Sequence, residues 1–328
     1  MSKFLQDEKP IQAAFKQSAP YFSDAARAEG YYKNHPYPFC LPRAYAEENL
    51  FPEIREPILA YFTRNEIKWH DGQNGKPSNH MCDSQVCCAN FLFPFYDKPE
   101  ALAALLRPIF PDVHEMLPIE DGQYVAFEWI GQRNYLGEKK SPNRKRTRGA
   151  NFTSADAAVM FQRDDGRKQI VLIEWKYTES YFSTWLKYAR SGTDRTKIYE
   201  HLYTAADCPL AKDMIPDFDC LFYEPFYQFM RQQFLAHEME KAHELGADIV
   251  SLLHISPAYN RDFSRVTSPD LRIVDITATK VWHKLVDVPG RFVGEYTENI
   301  FGSFLVDLFP EMKDWWQYIV TRYAWVAG

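Results

Sequence analysis

Asp156, Glu174 and Lys176 are the residues whose types and spacing could do chemistry. They lie in two apolar runs, Ala155–Gln162 and Gln169–Lys176, joined by Asp164-Asp165-Gly166-Arg167. Two such runs around an Asp-Gly pair spell a β-hairpin. With the turn centred near Asp165, residues whose numbers sum to about 330 pair across the ladder. Asp156 then faces Glu174, and Lys176, two residues further on, shares their side of the sheet. Opposed carboxylates repel unless a cation lies between them, so this trio reads as a divalent-metal site with a fixed positive charge beside it. The bland alternative is a surface ion cluster worth at most about 1 kcal/mol. The apolar run Val171-Leu172-Ile173 leading into Glu174 argues against it, because polar groups on a buried strand need partners.

Further candidates surround the trio. Gln123–Ile130 alternates, with Val125, Phe127 and Trp129 on one face and Tyr124, Ala126 and Glu128 on the other. Glu128 is either a further acidic ligand or an ordinary salt-bridge partner of Lys176 or an arginine. Gln228, Arg231 and Gln232 stand at i, i+3 and i+4 and share a helix face, with Phe226, Phe229, Met230 and Phe234 left to pack. Lys139, Lys140, Arg144, Lys145, Arg146 and Arg148 crowd the stretch before the Asp156 strand. They make a local positive field for phosphate, or else a solvated tip. Glu179, just past the strand, reads as solvated.

Asp156 followed by Glu174-Trp175-Lys176 resembles the active-site signature of the PD-(D/E)xK nuclease superfamily, with Ala155 where the proline would stand. Ser84-Gln85 with Asn90, the run Ile173–Glu179, and Tyr227-Gln228 followed by Arg231 are similar to a bacterial group of restriction-endonuclease-like proteins. That similarity runs roughly from residue 60 to residue 260. The resemblance implies an α/β fold with an αβββαβ core, a mixed central sheet flanked by helices. It also implies a DNA substrate, Mg²⁺ with Mn²⁺ as a substitute, and a 5′-phosphate product. Asp156 and Glu174, with Glu128 as a further donor, would hold the ion. Lys176 would orient the nucleophile or offset charge on the phosphate. Gln228 would position substrate, and Arg231, Gln85 and the basic loop would contact DNA. A homodimer is compatible with such a protein.

The elements that must position these residues follow from pattern. Residues 1–60 are an irregular to helical extension broken by Pro36, Pro38 and Pro42, residues 61–260 the core, and residues 261–328 an extension packed on it. Short helices fall in 45–68, then Met81–Phe93 and Pro99–Arg107. After the strand at Gln123–Ile130 and the hairpin come helices at Ser191–Ala206 and Pro225–Leu245, a strand at Asp248–Ile255, a strand-like Leu271–Ile276 and a helix at Asp314–Trp325.

Composition bounds the rest. The 328 residues are 46% hydrophobic and 16% aromatic with net charge −6. That is ample for a core, to which most of the aromatic rings belong, although surface Tyr and Phe could stack on bases. The charge excludes a uniformly basic DNA coat but not a local basic site. There is no apolar run of about 18 residues and no secretory h-region, which fits a cytoplasmic protein. The six cysteines lack a C-x-x-C pair and fit helix packing in a reducing compartment better than zinc. A rival from another class is a catalytically silent nuclease fold used for DNA binding or assembly, which the full acid–acid–lysine set disfavours. A sugar hydrolase is the other; cross-strand Cβ atoms roughly 4.5–5.5 Å apart leave a sugar ring little room.

Overall fold

The Asp164–Gly166 loop closes the hairpin expected around it. The Gly166 amide donates to Arg163 O at 2.9 Å and the Arg163 amide to Arg167 O at 2.8 Å. Gly166 takes φ +83°, the left-handed position such a loop needs. Ala157 faces Ile173 and Val159 faces Val171, the register read from the sequence.

The computed structural model describes residues 2–138, 146–150 and 152–327. Its strands are β1 (Gly30–Tyr32), β2 (His35–Tyr37), β3 (Val113–Leu117), β4 (Val125–Trp129), β5 (Ala155–Arg163), β6 (Lys168–Trp175), β7 (Ile249–Ser256) and β8 (Phe292–Tyr296). Its helices are α1 (Lys3–Ser18), α2 (Arg55–Arg64), α3 (Ser84–Leu92), α4 (Pro99–Leu106), α5 (Thr196–Thr204), α6 (Phe226–Lys241), α7 (Ala278–Leu285), α8 (Thr297–Gly302) and α9 (Lys313–Arg322). The central sheet is mixed: β3 and β4 share one edge of β5, β5 and β6 form the antiparallel hairpin, and β7 and β8 follow in parallel.

The sheet is covered on both faces, so β6 is apolar on both sides. Val159, Phe161, Val171 and Ile173 join α1–α4 and α9 in one core; Ala158, Met160, Ile170 and Leu172 join α5–α7 in the other. All six cysteines are free and buried, Cys87 and Cys88 on α3. Among the described residues no helix is long and apolar enough to cross a membrane.

The N-terminal extension holds α1 over residues 3–18: Glu8, Gln12 and Lys16 are buried beside Phe4 and Phe15, so its inward stripe reads as polar. Three expectations need correction. A 3-10 turn, Asp270–Ile273, overlaps Leu271–Ile276 in place of a strand, and the extra parallel strand is β8. β3 was absent from the sequence pattern because only Val113 and Met116 of its residues are fully buried. Finally, Trp129 packs with Ala126 rather than with Val125 and Phe127, because Glu128 between them takes φ +50° and breaks the alternation.

The chain's ends meet behind β6. Arg322 of α9 is fully buried; its guanidinium donates to Gln12 Oε1 (3.0 Å), Asn49 O and Oδ1 (2.5 Å each), Tyr318 Oη (2.6 Å) and Met81 O (3.0 Å). Gln12 also donates to Tyr177 Oη at 3.2 Å, and Tyr177 Oη donates to Glu8. Replacing Arg322 with Met leaves several buried acceptors without donors, each costing about 1–3 kcal/mol. Urea unfolding of Arg322→Met is expected to show a loss of about 3 kcal/mol or more. A loss below about 0.5 kcal/mol, the scale of a surface change, would contradict this role.

Candidate active site

The register sets a row of polar residues across one end of the sheet. Phe127 pairs with Ala157 and Trp129 with Ala155, which leaves Glu128 of β4 beside Asp156 of β5. Ala157 pairs with Ile173, so Glu174 of β6 comes next, and Glu174 pairs with His254 of β7. His254 is buried and neutral, its ring stacked on Phe263 at 4.7 Å; burial, with Lys176 nearby, holds its pKa well below the ordinary value.

Glu174 is the centre of the arrangement. It is 1% exposed. Lys176 and Gln228 donate to its Oε1 and Gln232 to its Oε2. Gln228 and Gln232 are one turn apart on α6, so the helix offers two amides to one carboxylate. Burial alone would pull the Lys176 ammonium down, but Glu174 beside it, with Asp156, holds it well above the ordinary lysine value. Asp156 accepts from the Trp175 amide at 2.7 Å. Burial, then Glu174, pushes its carboxyl well above the usual range, and Lys176 offsets only part of this.

Glu128 holds a left-handed backbone, which costs a non-glycine residue about 1–3 kcal/mol. Its side chain is fixed by Gln85 Nε2 (2.6 Å) and Ser154 Oγ (2.8 Å). Burial raises its pKa while those two hydrogen bonds oppose the rise. Arg148 meets its backbone carbonyl at 3.2 Å.

A cleft of about 740 Å³ opens over this row, lined by Glu128, Ser154, Asp156, Lys176 and Gln228 from the sheet and α6 and by Ser84 and Gln85 from α3. Asp83 caps α3 by accepting from the Val86 amide, and its other oxygen lies 3.3 Å from His70 Nδ1. That bond raises the His70 pKa to about 9, against the effect of burial, so the cleft lip carries a cation at neutral pH. Glu179 lines the cleft too, accepting from the Tyr177 amide at 2.7 Å.

Several sequence candidates have other partners. Gln85 is turned inward: it bonds Glu128, Lys68 O and the His70 amide, which occupies the groups a DNA contact would need. Arg148 forms a two-pronged pair with Glu120 at 2.7 and 2.9 Å and donates to Tyr61 Oη, and Arg146 binds Gly131 O at 2.9 Å. Both therefore brace the β4 end. Arg231 stacks over Tyr227 at 5.0 Å and is not among the cleft-lining residues. Lys139, Lys140, Arg144 and Lys145 lie outside the described residues. Gln232 was legible as a member of the Gln228 stripe, but which helix face met the site was not.

A protein-family model described as Restriction Endonuclease associating with ARP matches residues 11–286. The chain belongs to that family. No curated protein and no solved structure matches it. Membership of a restriction-endonuclease family implies DNA as substrate and a metal ion in general. Among the described residues of this family member, no group of three or more His, Cys, Asp or Glu side chains stands where it could hold a metal ion. The available set is the carboxylates of Asp156 and Glu174 with the Trp175 carbonyl, on which Ser84 Oγ sits at 3.4 Å. These are hard oxygen donors, and they fit a hard divalent cation.

Burial of Asp156, with Glu174 beside it, has a measurable consequence in metal-free protein. A carboxyl whose pKa is raised on folding favours the folded state most at low pH; stability then falls as pH climbs from the ordinary carboxylate range through the raised value. Asp156→Asn keeps an acceptor for the Trp175 amide and removes the charge. Its Tm in chelator should exceed the parent's, with the gap widening from pH 5 to pH 8. A gap that closes with rising pH would contradict the raised Asp156 carboxyl.

Proposed function

We propose that this chain is a Mg²⁺-dependent deoxyribonuclease that hydrolyses phosphodiester bonds. The observation that carries the reading is Glu174: a buried carboxylate held by a lysine and two amides, directly behind Asp156, Lys176 and Gln228, which line a cleft. A purely structural strand gains little from burying a charge, since replacing a buried ion pair by apolar residues is often neutral or stabilising. A site that must keep an anion in place has reason to do so.

Asp156, Glu174 and the Trp175 carbonyl would hold the ion, with Glu128 close by as a further acidic group. When bound, the ion supplies Lewis-acid chemistry: it lowers the pKa of water and offsets charge on a phosphate. The chain's own residues supply position. The Trp175 amide fixes the Asp156 carboxylate, and Gln228 and Gln232 fix Glu174. The Lys176 ammonium, kept charged by Glu174, faces the cleft where negative charge builds on the scissile phosphate. His70 stands at the lip as the cationic partner of Asp83.

Incubation with linear and circular plasmid in Mg²⁺ tests the reading. Asp156→Ala, Glu174→Ala and Lys176→Ala should each slow cleavage at least about a hundredfold, as one such charge-stabilising group is worth about 2.7–4 kcal/mol. Normal cleavage by any of them, folded, would remove that residue from the site. Gln228→Ala should slow cleavage while leaving Mg²⁺ affinity by calorimetry within about threefold, because an amide positions rather than ligates. Parental rates in Gln228→Ala would leave the glutamine a packing residue.

A further inference from the structure

We infer that the segment following the site strand is a stacking platform for unpaired bases, so that the strand presented to the cleft is single-stranded or locally opened DNA. The segment reads YFSTWLKYAR from Tyr181 to Arg190. Phe182, Trp185 and Tyr188 are 68%, 45% and 54% exposed, three large rings at intervals of three. One exposed aromatic is unremarkable, but three within seven residues of a protein that buries most of its apolar side chains are not scatter.

The rings stand on a tethered backbone. Tyr181 Oη donates to Gln228 Oε1 at 3.4 Å, which ties the start of the segment to the glutamine that holds Glu174. The Leu186 amide donates to Phe222 O at 2.7 Å, Trp185 bridges Tyr223, and the Arg195 amide returns to Lys187 O at 2.8 Å. Residues 219–223 lead directly into α6. The platform is thus braced against the same helix that positions the site.

Charge and geometry select the occupant. Lys187 lies 5.4 Å over Trp185 and 5.8 Å over Tyr188, paired to Asp219 at 2.7 Å, and Arg190 is exposed on the adjoining turn. Aromatic faces interleaved with cations match a strand of bases and phosphates. Trp185 and Tyr188 meet at 86°, so they cannot lie against one flat base pair. Bases inside a duplex have already buried their faces on their neighbours; only unpaired bases have a face to offer.

The inference rests on the nuclease reading for the direction of the strand into the cleft, and its test is independent of cleavage. Fluorescence anisotropy in chelator, with a short labelled oligodeoxynucleotide and a blunt duplex of the same sequence, should show tighter binding to the single strand. Trp185→Ala should weaken single-strand binding about tenfold, and the Phe182/Trp185/Tyr188 triple alanine variant about a hundredfold or more, with duplex binding nearly unchanged. Equal single-strand affinity in the parent and the triple variant overturns the platform. So does self-association of the parent that the triple variant loses while oligonucleotide binding persists, which would make the patch a protein interface. Plasmid cleavage is scored separately. Cleavage absent with platform binding intact removes the nuclease reading alone; cleavage present with platform binding absent removes the platform alone.

Discussion

Glu174 is a carboxylate with almost no access to water at the end of a fully covered strand. Taking such a charge from water costs several kcal/mol after relaxation unless close partners compensate. The fold answers with the nearest sources it has: the ammonium two residues along the same strand and two amides from one face of the crossover helix α6. This single requirement fixes where α6 lies relative to β6. It also explains why a helix with an aromatic inner face keeps two glutamines turned toward the sheet.

The rest of the molecule holds that strand end still. Lys176 is followed by Tyr177, whose hydroxyl is gripped by Glu8 and Gln12 of α1, and Gln12 in turn meets Arg322 of α9. The two ends of the chain are therefore wedged behind the residue that charges the site. On the other side, α3 brings Gln85 to Glu128 and Asp83 to His70, so the cleft wall and the carboxylate row share one helix. A metal ion would replace repulsion between Asp156 and Glu174 with attraction. Binding and stability are thus linked through the same pair.

Much of this was legible in the chain. The hairpin register follows from a two-strand pattern around Asp165-Gly166, and with it the meeting of Asp156, Glu174 and Lys176. The Gln228 and Gln232 stripe follows from helical spacing. What was hidden was hidden for physical reasons. The inner stripe of α1 sets Glu8, Gln12 and Lys16 between Phe4 and Phe15, the polar three satisfied by side chains far along the chain or by backbone carbonyls, so local hydrophobicity gives little sign of a helix. Arg148 reads as a loop cation because its partner, Glu120, lies across a strand. The left-handed turn at Glu128 rests on bonds from Gln85 and Ser154 that no local pattern encodes.

The most direct measurement is a crystal grown with Mn²⁺ and recorded at a wavelength where manganese scatters anomalously. If the buried carboxylate pair is an ion site, one dominant anomalous peak lies within bonding distance of both Asp156 and Glu174, with Lys176 and Gln228 still flanking Glu174. A map with no peak there, or with the ion held elsewhere while Asp156 and Glu174 remain bonded only to protein groups, contradicts the assignment.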